Sequence, residues 1–322
     1  MSNRKELSLN IREFALSCGA DLAGIAPATF DEEGLDRLRS FMALGRQGDM
    51  AWLEDYEKRV DPEKLLPGAK SVIVIAVNYY REVDNIPEGR GRVARYAYGR
   101  DYHKVIRSLL KKVEAYIQSE VPGAKTKICV DSAPLLEKAY AVKAGLGFIG
   151  KNTTLITPEF GSFVLLGELL TNLELEYDEP GAGTCGTCTR CLDECPTKAI
   201  VAPHELDANR CISYLTIEHR GQIAPEFHQP MGNWIFGCDI CQEVCPYNKT
   251  FEKPLQLKEF RDVKIAGTSI SLEEILSMES DEEFLTRFAG SPLMRAKRSG
   301  LQRNARIAQK NGFNKKGTTR VS

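Results

Sequence analysis

Apolar and polar positions along the first 180 residues follow two alternating periods. In ELSLNIREFALSC (6–18), Leu7, Ile11, Phe14 and Ala15 recur at helical spacing, and Gly19 follows as a C-cap. LAGIA (22–26) has the pattern of a short strand. Asp31 can N-cap a helix that runs to about Leu44, where Gly45 closes it. SVIVIAVNYY (71–80) is rich in β-branched residues and predicts a buried, central strand. A long helix is predicted over about 102–120, stopped by Pro122-Gly123, and KTKICVD (125–131) is then a strand ending on a carboxylate. Ser132 as N-cap, Pro134 in the first turn and Gly145 and Gly147 at the end predict another helix. TTLIT (153–157) and SFVLLGELLT (162–171) are extended runs joined by a Pro/Gly turn.

The pattern breaks at DEPGAGT (178–184), where apolar alternation stops and a cysteine-rich stretch begins. That stretch ends near Asn248, and helical periodicity returns over 271–288 and 292–309. Three segments are expected: 1–177, an α/β domain; 178–250, the cysteine-rich domain; and 251–322, helical and basic. The fold class is α/β (α+β), since helical and strand patterns alternate in a layered order. The 322 residues suffice for sizeable cores without cross-links.

The longest apolar run, VIVIAV (72–77), is far short of the ~20 residues a spanning helix needs. The polar start MSNRKELSLN has no secretory apolar region, so a cytoplasmic location with no membrane partner is expected. In a reducing compartment, ten cysteines point to metal or catalytic thiolates rather than disulfides. The net charge of −1 argues against a uniformly basic coat. It conceals a local excess: from Leu293 to Ser322 there are nine Lys or Arg and no acid. Such a run can neutralise phosphates, or can be a solvated tail.

CGTCTRCLDECP (185–196) carries the C-x2-C-x2-C-x3-C-P spacing, which gives three thiolates to one [4Fe-4S] cube and sends the fourth to a neighbour. CDICQEVCP (238–246) repeats the run without its first cysteine, and only Cys211 lies between the two groups. Crossing the fourth cysteines, as the two-cluster ferredoxin arrangement implies, gives one cube on Cys185, Cys188, Cys191 and Cys245. The second takes Cys195, Cys211, Cys238 and Cys241. Zinc sites also use C-x2-C pairs, but usually two plus two. Cys18 and Cys129 have the surroundings of core residues.

A bare two-cluster ferredoxin has no need of some 180 preceding residues, so an electron acceptor is expected there. The candidate is the strand end at VDSAPLLEKAY, which places Asp131 before a helix. An aspartate there is also the ordinary choice for a cap. DSAPLLEKAYAVKAGLGFIGKNTTLI, RYAYGRDYHK, the two cysteine runs, LDANRCISYLTIEHRG and MGNWIFGCDICQEVCPYNK together resemble the epoxyqueuosine reductase family over about residues 1–310.

That resemblance implies a cobalamin-binding N-terminal α/β domain, a ferredoxin-like domain with two [4Fe-4S] clusters, and removal of the epoxide oxygen from a modified wobble base of tRNA. It implies that Asp131 is the proton donor, which calls for a carboxyl pKa raised by burial. It places the Cys185/Cys245 cube nearer the cobalt. Cofactor-lining positions implied by it are Arg59, Tyr96, Ala97, Asp131, Ser132, Ala133, Lys151, Asn152 and the backbone of Gly237, Cys238, Asp239 and Ile240. For Arg59, a surface arginine before an Asp-Pro turn is an equal alternative. His103 and His219 are conceivable axial ligands, but a lone histidine is more often structural.

The basic C-terminal helix is then expected to lie along an anticodon stem-loop carrying epoxyqueuosine, through Arg295, Lys297, Arg298 and Arg303. Related proteins often continue into HEAT-like repeats, whereas this sequence stops at Ser322. A flavodoxin or ferredoxin is the expected electron donor, and a monomer the expected state. Three rival readings remain at this point: a reductive dehalogenase-like corrinoid enzyme acting on a small molecule, a non-catalytic electron carrier, and a zinc-stabilised RNA-binding protein.

Overall fold

The computed structural model describes residues 2–312 apart from 84, 249–254, 256 and 262–264, with side chains from residue 4 onward. The run SVIVIAVN forms the strand Ser71–Asn78, buried along its whole length. It is an inner strand of a four-stranded sheet ordered Leu22–Pro27, Ser71–Asn78, Val164–Thr171, Thr126–Cys129. Ile73, Ile75 and Val77 share a core with Ile11, Ile106, Leu110 and Ile117 of the helices Ser2–Ser17 and Tyr102–Glu120. Val72, Val74 and Ala76 pack on the other face with Tyr140 and Ala141 of the helix Glu137–Lys143. This division is the two-residue period of a strand covered on both sides. Each such Ile or Val stabilises the sheet by ~1.5–3 kcal/mol when fully buried.

Every neighbouring pair in this sheet is antiparallel. The rule that ligands gather at the carboxyl ends of parallel strands therefore does not explain the position of Asp131. Asp131 is instead the second residue beyond Thr126–Cys129, an edge strand. The helix expected to start at Ser132 starts at Glu137, with no side-chain cap. Residues 131–136 form tight turns, with Ser132 N donating to Val130 O at 2.5 Å and Leu135 N to Ala133 O at 2.8 Å. Asp131 sits in the left-handed region at φ 49°, a conformation a non-glycine residue keeps only when its surroundings hold it.

A second sheet joins Trp234–Phe236, Arg90–Val93 and Ser269–Ser271. Its core combines Val93, Ala97, Phe236, Ile270, Phe288, Leu301 and Ala305. Residues assigned in advance to three separate segments thus share one core, and the stretch after 250 is not a free-standing helical domain. The reason is the strand Ser269–Ser271, which pairs with Arg90–Val93 and needs it as a partner. The helical pattern 271–288 divides into Leu272–Leu276 and Asp281–Phe288, N-capped by Ser271 and Ser280 respectively. The last helix is Lys297–Asn311, preceded by a 3-10 turn at Pro292–Ala296. The boundary expected at 250 and the basic residues Lys315, Lys316 and Arg320 lie outside the described residues. Among the described residues no helix is long and apolar enough to cross a membrane.

Candidate functional site

Cys185, Cys188, Cys191 and Cys245 line one recess of about 370 Å³, part of it open to solvent. The other four meet one another as well: Cys241 senses the charges of Cys211 and Cys195, and Cys238 those of Cys241 and Cys211. The grouping is the crossed one expected from the spacing. Cys191 and Cys241 are also close enough to interact, so the two groups adjoin. The short helices Arg190–Asp193 and Ile240–Glu243 present the middle cysteines of each run. Pro196 and Pro246, lacking an N–H, follow the last cysteine of each.

Burial raises the Cys191 thiol to about 11, and the neighbouring thiolates push it the same way. Burial likewise raises Cys238, Cys241 and Cys245. These raised thiols resist ionisation unless a cationic core neutralises them, which fits a thiolate-ligated iron–sulfur cube. Backbone N–H groups already point at two of the sulfurs: Lys151 N at Cys185 Sγ, 3.4 Å, and Ala199 N at Cys195 Sγ, 3.3 Å. Among the described residues no three His, Cys, Asp or Glu side chains converge as a single-ion site requires. The sulfurs of the first group surround a recess instead.

The loop after Gly150 joins this centre to the rest of the chain. Lys151 Nζ donates to Gly186 O at 2.7 Å and Cys188 O at 3.0 Å. The buried Asn152 donates to Cys241 O at 3.4 Å. Lys138 Nζ donates to Thr153 O at 2.6 Å. Lys138 follows Glu137, whose Oε1 accepts the Asp131 N–H. A short chain of contacts therefore runs from both cysteine groups to the Asp131 loop.

Asp131 Oδ2 accepts from Tyr102 Oη at 2.8 Å and lies 2.9 Å from His103 Nε2. His103 Nδ1 is 2.6 Å from Asp101 Oδ1. Burial opposes the imidazolium, but hydrogen bonds to Asp101 and Asp131 and their charges prevail, raising His103 to about 9. Burial likewise pushes the Asp131 carboxyl up, yet the bonds from His103 and Tyr102 outweigh it and hold Asp131 below the usual carboxylate value. The expected raised pKa at Asp131 is thus reversed, because a cation faces it. The proton of the pair resides on His103.

Tyr96 stands edge-on to Tyr102, centroids 5.9 Å apart, and Ala97 is fully buried behind it. Ser132 Oγ donates back to Val130 O at 3.2 Å, and Ala133 is half-buried beside it. Arg59 is buried rather than on the surface. Its guanidinium lies 4.8 Å from the ring centroid of the half-exposed Trp52 and donates to Trp52 O at 3.3 Å, while its Nε has no partner among the described residues. Gly237 takes φ 69°, and a Cβ there would come 2.5 Å from the Ala94 Cβ. An unpartnered buried donor and a backbone that admits no side chain suit the amide-rich edge of a corrinoid.

The Asp239 carboxylate is buried and accepts from Arg95 N at 2.9 Å and Arg95 Nη1 at 3.0 Å, so the side chain closes an internal ion pair and only its backbone is left for a cofactor. Ile240 packs with Cys211 and Cys238. Neither histidine is free for axial ligation: both His103 nitrogens are engaged, and His219 contacts Asp49 Oδ2 at 2.9 Å and Gln222 O at 3.1 Å.

Of the four basic residues assigned to RNA, two serve the fold. Arg303 donates to the carbonyls of Leu215, Gly221 and His219 at 2.6, 2.7 and 2.8 Å. Arg298 is bonded to Asp281 Oδ1 at 2.8 Å and Met278 O at 3.1 Å. Arg295 and Lys297 are exposed. Arg295 is paired with Glu218, and its charge reaches Asp131. Glu137 and Glu168 were missed by the sequence reading. For Glu168 the signal is an acid in the middle of an apolar run, VLLGELLT, and that glutamate is fully buried.

Residues 59–132 match the family model described as Epoxyqueuosine reductase QueG, DUF1730, and residues 184–248 match the 4Fe-4S double cluster binding domain. The epoxyqueuosine reductase of Leadbetterella byssophila is 44% identical over 301 residues, 93% of this chain and 97% of that protein. That of Synechocystis sp. is 42% identical over 88% of this chain and 98% of that protein. A crystal structure of epoxyqueuosine reductase with a tRNA-Tyr epoxyqueuosine-modified stem loop superposes with TM-score 0.88 at 38% identity, covering 95% of this chain and 81% of that one. A Bacillus subtilis structure, with its catalytic aspartate loop swung out of the active site, gives TM-score 0.87 at 37% identity over 95% and 82%.

Proposed function

The chain belongs to the epoxyqueuosine reductase family, and from that premise we infer that it reduces epoxyqueuosine to queuosine in tRNA, with Asp131 delivering a proton to the epoxide oxygen. The observation that carries the residue assignment is the contact chain through Lys151, Asn152 and Thr153, which joins both cysteine groups to the loop bearing Asp131.

Removing an epoxide oxygen as water takes two electrons and two protons and leaves a carbon–carbon double bond. When bound, cobalamin and the two [4Fe-4S] clusters supply the electrons. Cys185, Cys188, Cys191 and Cys245 would hold one cluster, and Cys195, Cys211, Cys238 and Cys241 the other. Arg59, Tyr96, Ala97, Ser132, Ala133 and the Gly237–Ile240 backbone would line the corrinoid. Asp131 relays to the oxygen the proton carried by His103, which Asp101 keeps cationic, and His103 takes a further proton from solvent to supply the second. Tyr102 fixes the carboxylate orientation from the other side.

The partner is tRNA. Arg295 and Lys297 are the proposed phosphate contacts, lying at the start of the last helix with Arg295 on the side of Asp131. Exposed Arg190, with Lys151, gives the Cys185 recess a basic rim that suits an acidic electron carrier such as flavodoxin or ferredoxin. One chain carries every residue of the site, as a monomer would need. The test is anaerobic reconstitution followed by turnover of epoxyqueuosine-containing RNA with cobalamin. About eight iron per chain and formation of queuosine are expected. Zinc in place of iron, or no queuosine from fully loaded protein, would overturn the reading.

A further inference from the structure

Glu168 lies in the centre of the sheet, opposite Val74 on one neighbouring strand and Cys129 on the other. It is completely buried, and neither carboxyl oxygen meets an N–H or O–H donor among the described residues. The group it faces is the carboxyl of Glu137. Two carboxyls bond to each other only when one keeps a proton, and a charged pair buried without a counter-ion is strongly disfavoured. Burial raises both, with the charge of Asp131 adding to it at Glu137 and the charge of Glu137 adding to it at Glu168. On its outer side Glu137 accepts the N–H of Asp131, the residue in the left-handed conformation.

We propose that Glu137 and Glu168 are a proton-sharing carboxyl pair that positions the acid of the reaction, Glu137 holding the Asp131 backbone N–H and Glu168 supplying the hydrogen that lets the two carboxyls stand together. The proposal rests on Asp131 being the proton donor. It explains why a glutamate occupies a central strand position that apolar neighbours would fill. Without the outer bond, the turn at Asp131 is held only by the Ser132 N–H to Val130 O bond that spans it, and the carboxylate drifts from Tyr102 and His103. Glu137 and Glu168 touch neither substrate nor cofactor in this scheme, so they are positioning residues.

The titratable and charged groups facing the pair are known from each element around it. Asp131 and Cys129 lie on and just beyond the edge strand, and Tyr102 and His103 on the long helix. Arg59 approaches from the helix Tyr56–Val60, and Lys138 is on the helix of Glu137 itself. The two cations, with cationic His103, offset charge on Glu137, so the single proton stays on Glu168. That single-proton arrangement prevails above about 7, the value to which Glu137 itself is raised.

The test compares Glu137→Ala, Glu137→Gln and Glu168→Gln in the cofactor-loaded enzyme. A glutamine at either position can still donate and accept across the pair, whereas alanine at 137 cannot accept from Asp131. Glu137→Ala is expected to lower kcat about a hundredfold, the cost of misplacing a reacting group by about 1 Å, with KM for the RNA unchanged. Glu137→Gln and Glu168→Gln are expected to stay within about threefold of the starting kcat, since the amide preserves the geometry. Two readouts do not depend on turnover. The Asp131 amide is expected to exchange hydrogen faster in Glu137→Ala but not in Glu137→Gln, and the infrared band of a protonated carboxyl at neutral pH is expected to vanish in Glu168→Gln. Unchanged kcat and amide exchange in Glu137→Ala, or no such band in the unsubstituted protein, would overturn the pair. Failure of the unsubstituted enzyme to make queuosine would instead sink the functional reading while leaving the exchange and infrared results to stand alone.

Discussion

His103 provides a measurement of how strongly the acid site is wired. Its imidazolium is raised from 6.5 to about 9, with Asp101 and Asp131 overcoming burial. At ~1.36 kcal/mol per pH unit that difference corresponds to ~3.4 kcal/mol. The side chain is 33% exposed, so solvent screening reduces it to ~2 kcal/mol. A histidine whose folded value lies above its unfolded one stabilises fully below the unfolded value, near 6.5, and that stabilisation disappears as pH climbs through about 9. Asp131 and Asp101 are displaced the other way, so their contributions vanish only in acid and leave this window clear. His103→Gln removes the titrating group while keeping one donor. Denaturation midpoints of the two proteins, measured from pH 6 to 10, are expected to be furthest apart at pH 6 and to converge above pH 9. The same protonation governs the proton supply, so turnover is expected to have an alkaline limb near pH 9 that is absent from the residual activity of His103→Gln. Curves that run parallel across the whole range would refute the assignment of the proton to His103.

Other substitutions separate the remaining roles. Asp131→Asn is expected to fold, retain iron and cobalamin, and lose queuosine formation; retained turnover would remove Asp131 as the acid. Cys245→Ala is expected to take iron from about eight to about four per chain, with the second cluster's spectroscopic signal intact. Reversing charge at Arg295 and Lys297 together is expected to weaken RNA binding and to flatten the log–log salt dependence by about 2, which a binding series at several salt concentrations measures. Arg303→Ala is expected instead to cost at least ~2 kcal/mol of stability through lost bonds to three carbonyls, as read from denaturant midpoints. Gly237→Ala places a methyl against Ala94 at a positive φ and is expected to destabilise by ~1–3 kcal/mol.

The cysteine arrangement was legible because its information is one-dimensional. Spacing of two, two and three, with proline after the last, leaves few ways to share eight sulfurs, and Cys211 had no competitor for the vacant position. The sheet strands were legible for a similar reason, since Val72 to Val77 alternate between two apolar cores and so must be covered on both sides. The direction of the strands was not. Burial patterns are the same for either direction in a sheet covered on both faces, and only the pairing register reveals that this one is antiparallel. The C-terminal segment was misjudged because Ser269–Ser271 is too short to stand out, yet its pairing with Arg90–Val93 merges distant stretches into one core. Charge counting also overreached: Arg298 and Arg303 count with Lys297 in the sequence, but the fold engages them with carbonyls and with Asp281.

The electrostatics of Asp131 could not be inferred from its neighbours in sequence, since its pKa is set by residues that only the fold brings together. Burial alone would have raised the carboxyl, as expected of an acid in a closed site. His103 and Tyr102, 28 and 29 residues away, reverse the sign, because the N-terminus of their helix is carried to the end of the edge strand. An acid held ionised beside a protonated histidine can still deliver a proton when the developing alkoxide is a stronger base than either group, and it then needs no standing proton of its own. That places the demand on geometry: the carboxylate must stay between the histidine and the oxygen. The left-handed backbone at Asp131, tethered by Glu137, meets that demand, which is why the loop invests a strained residue where a relaxed cap was expected.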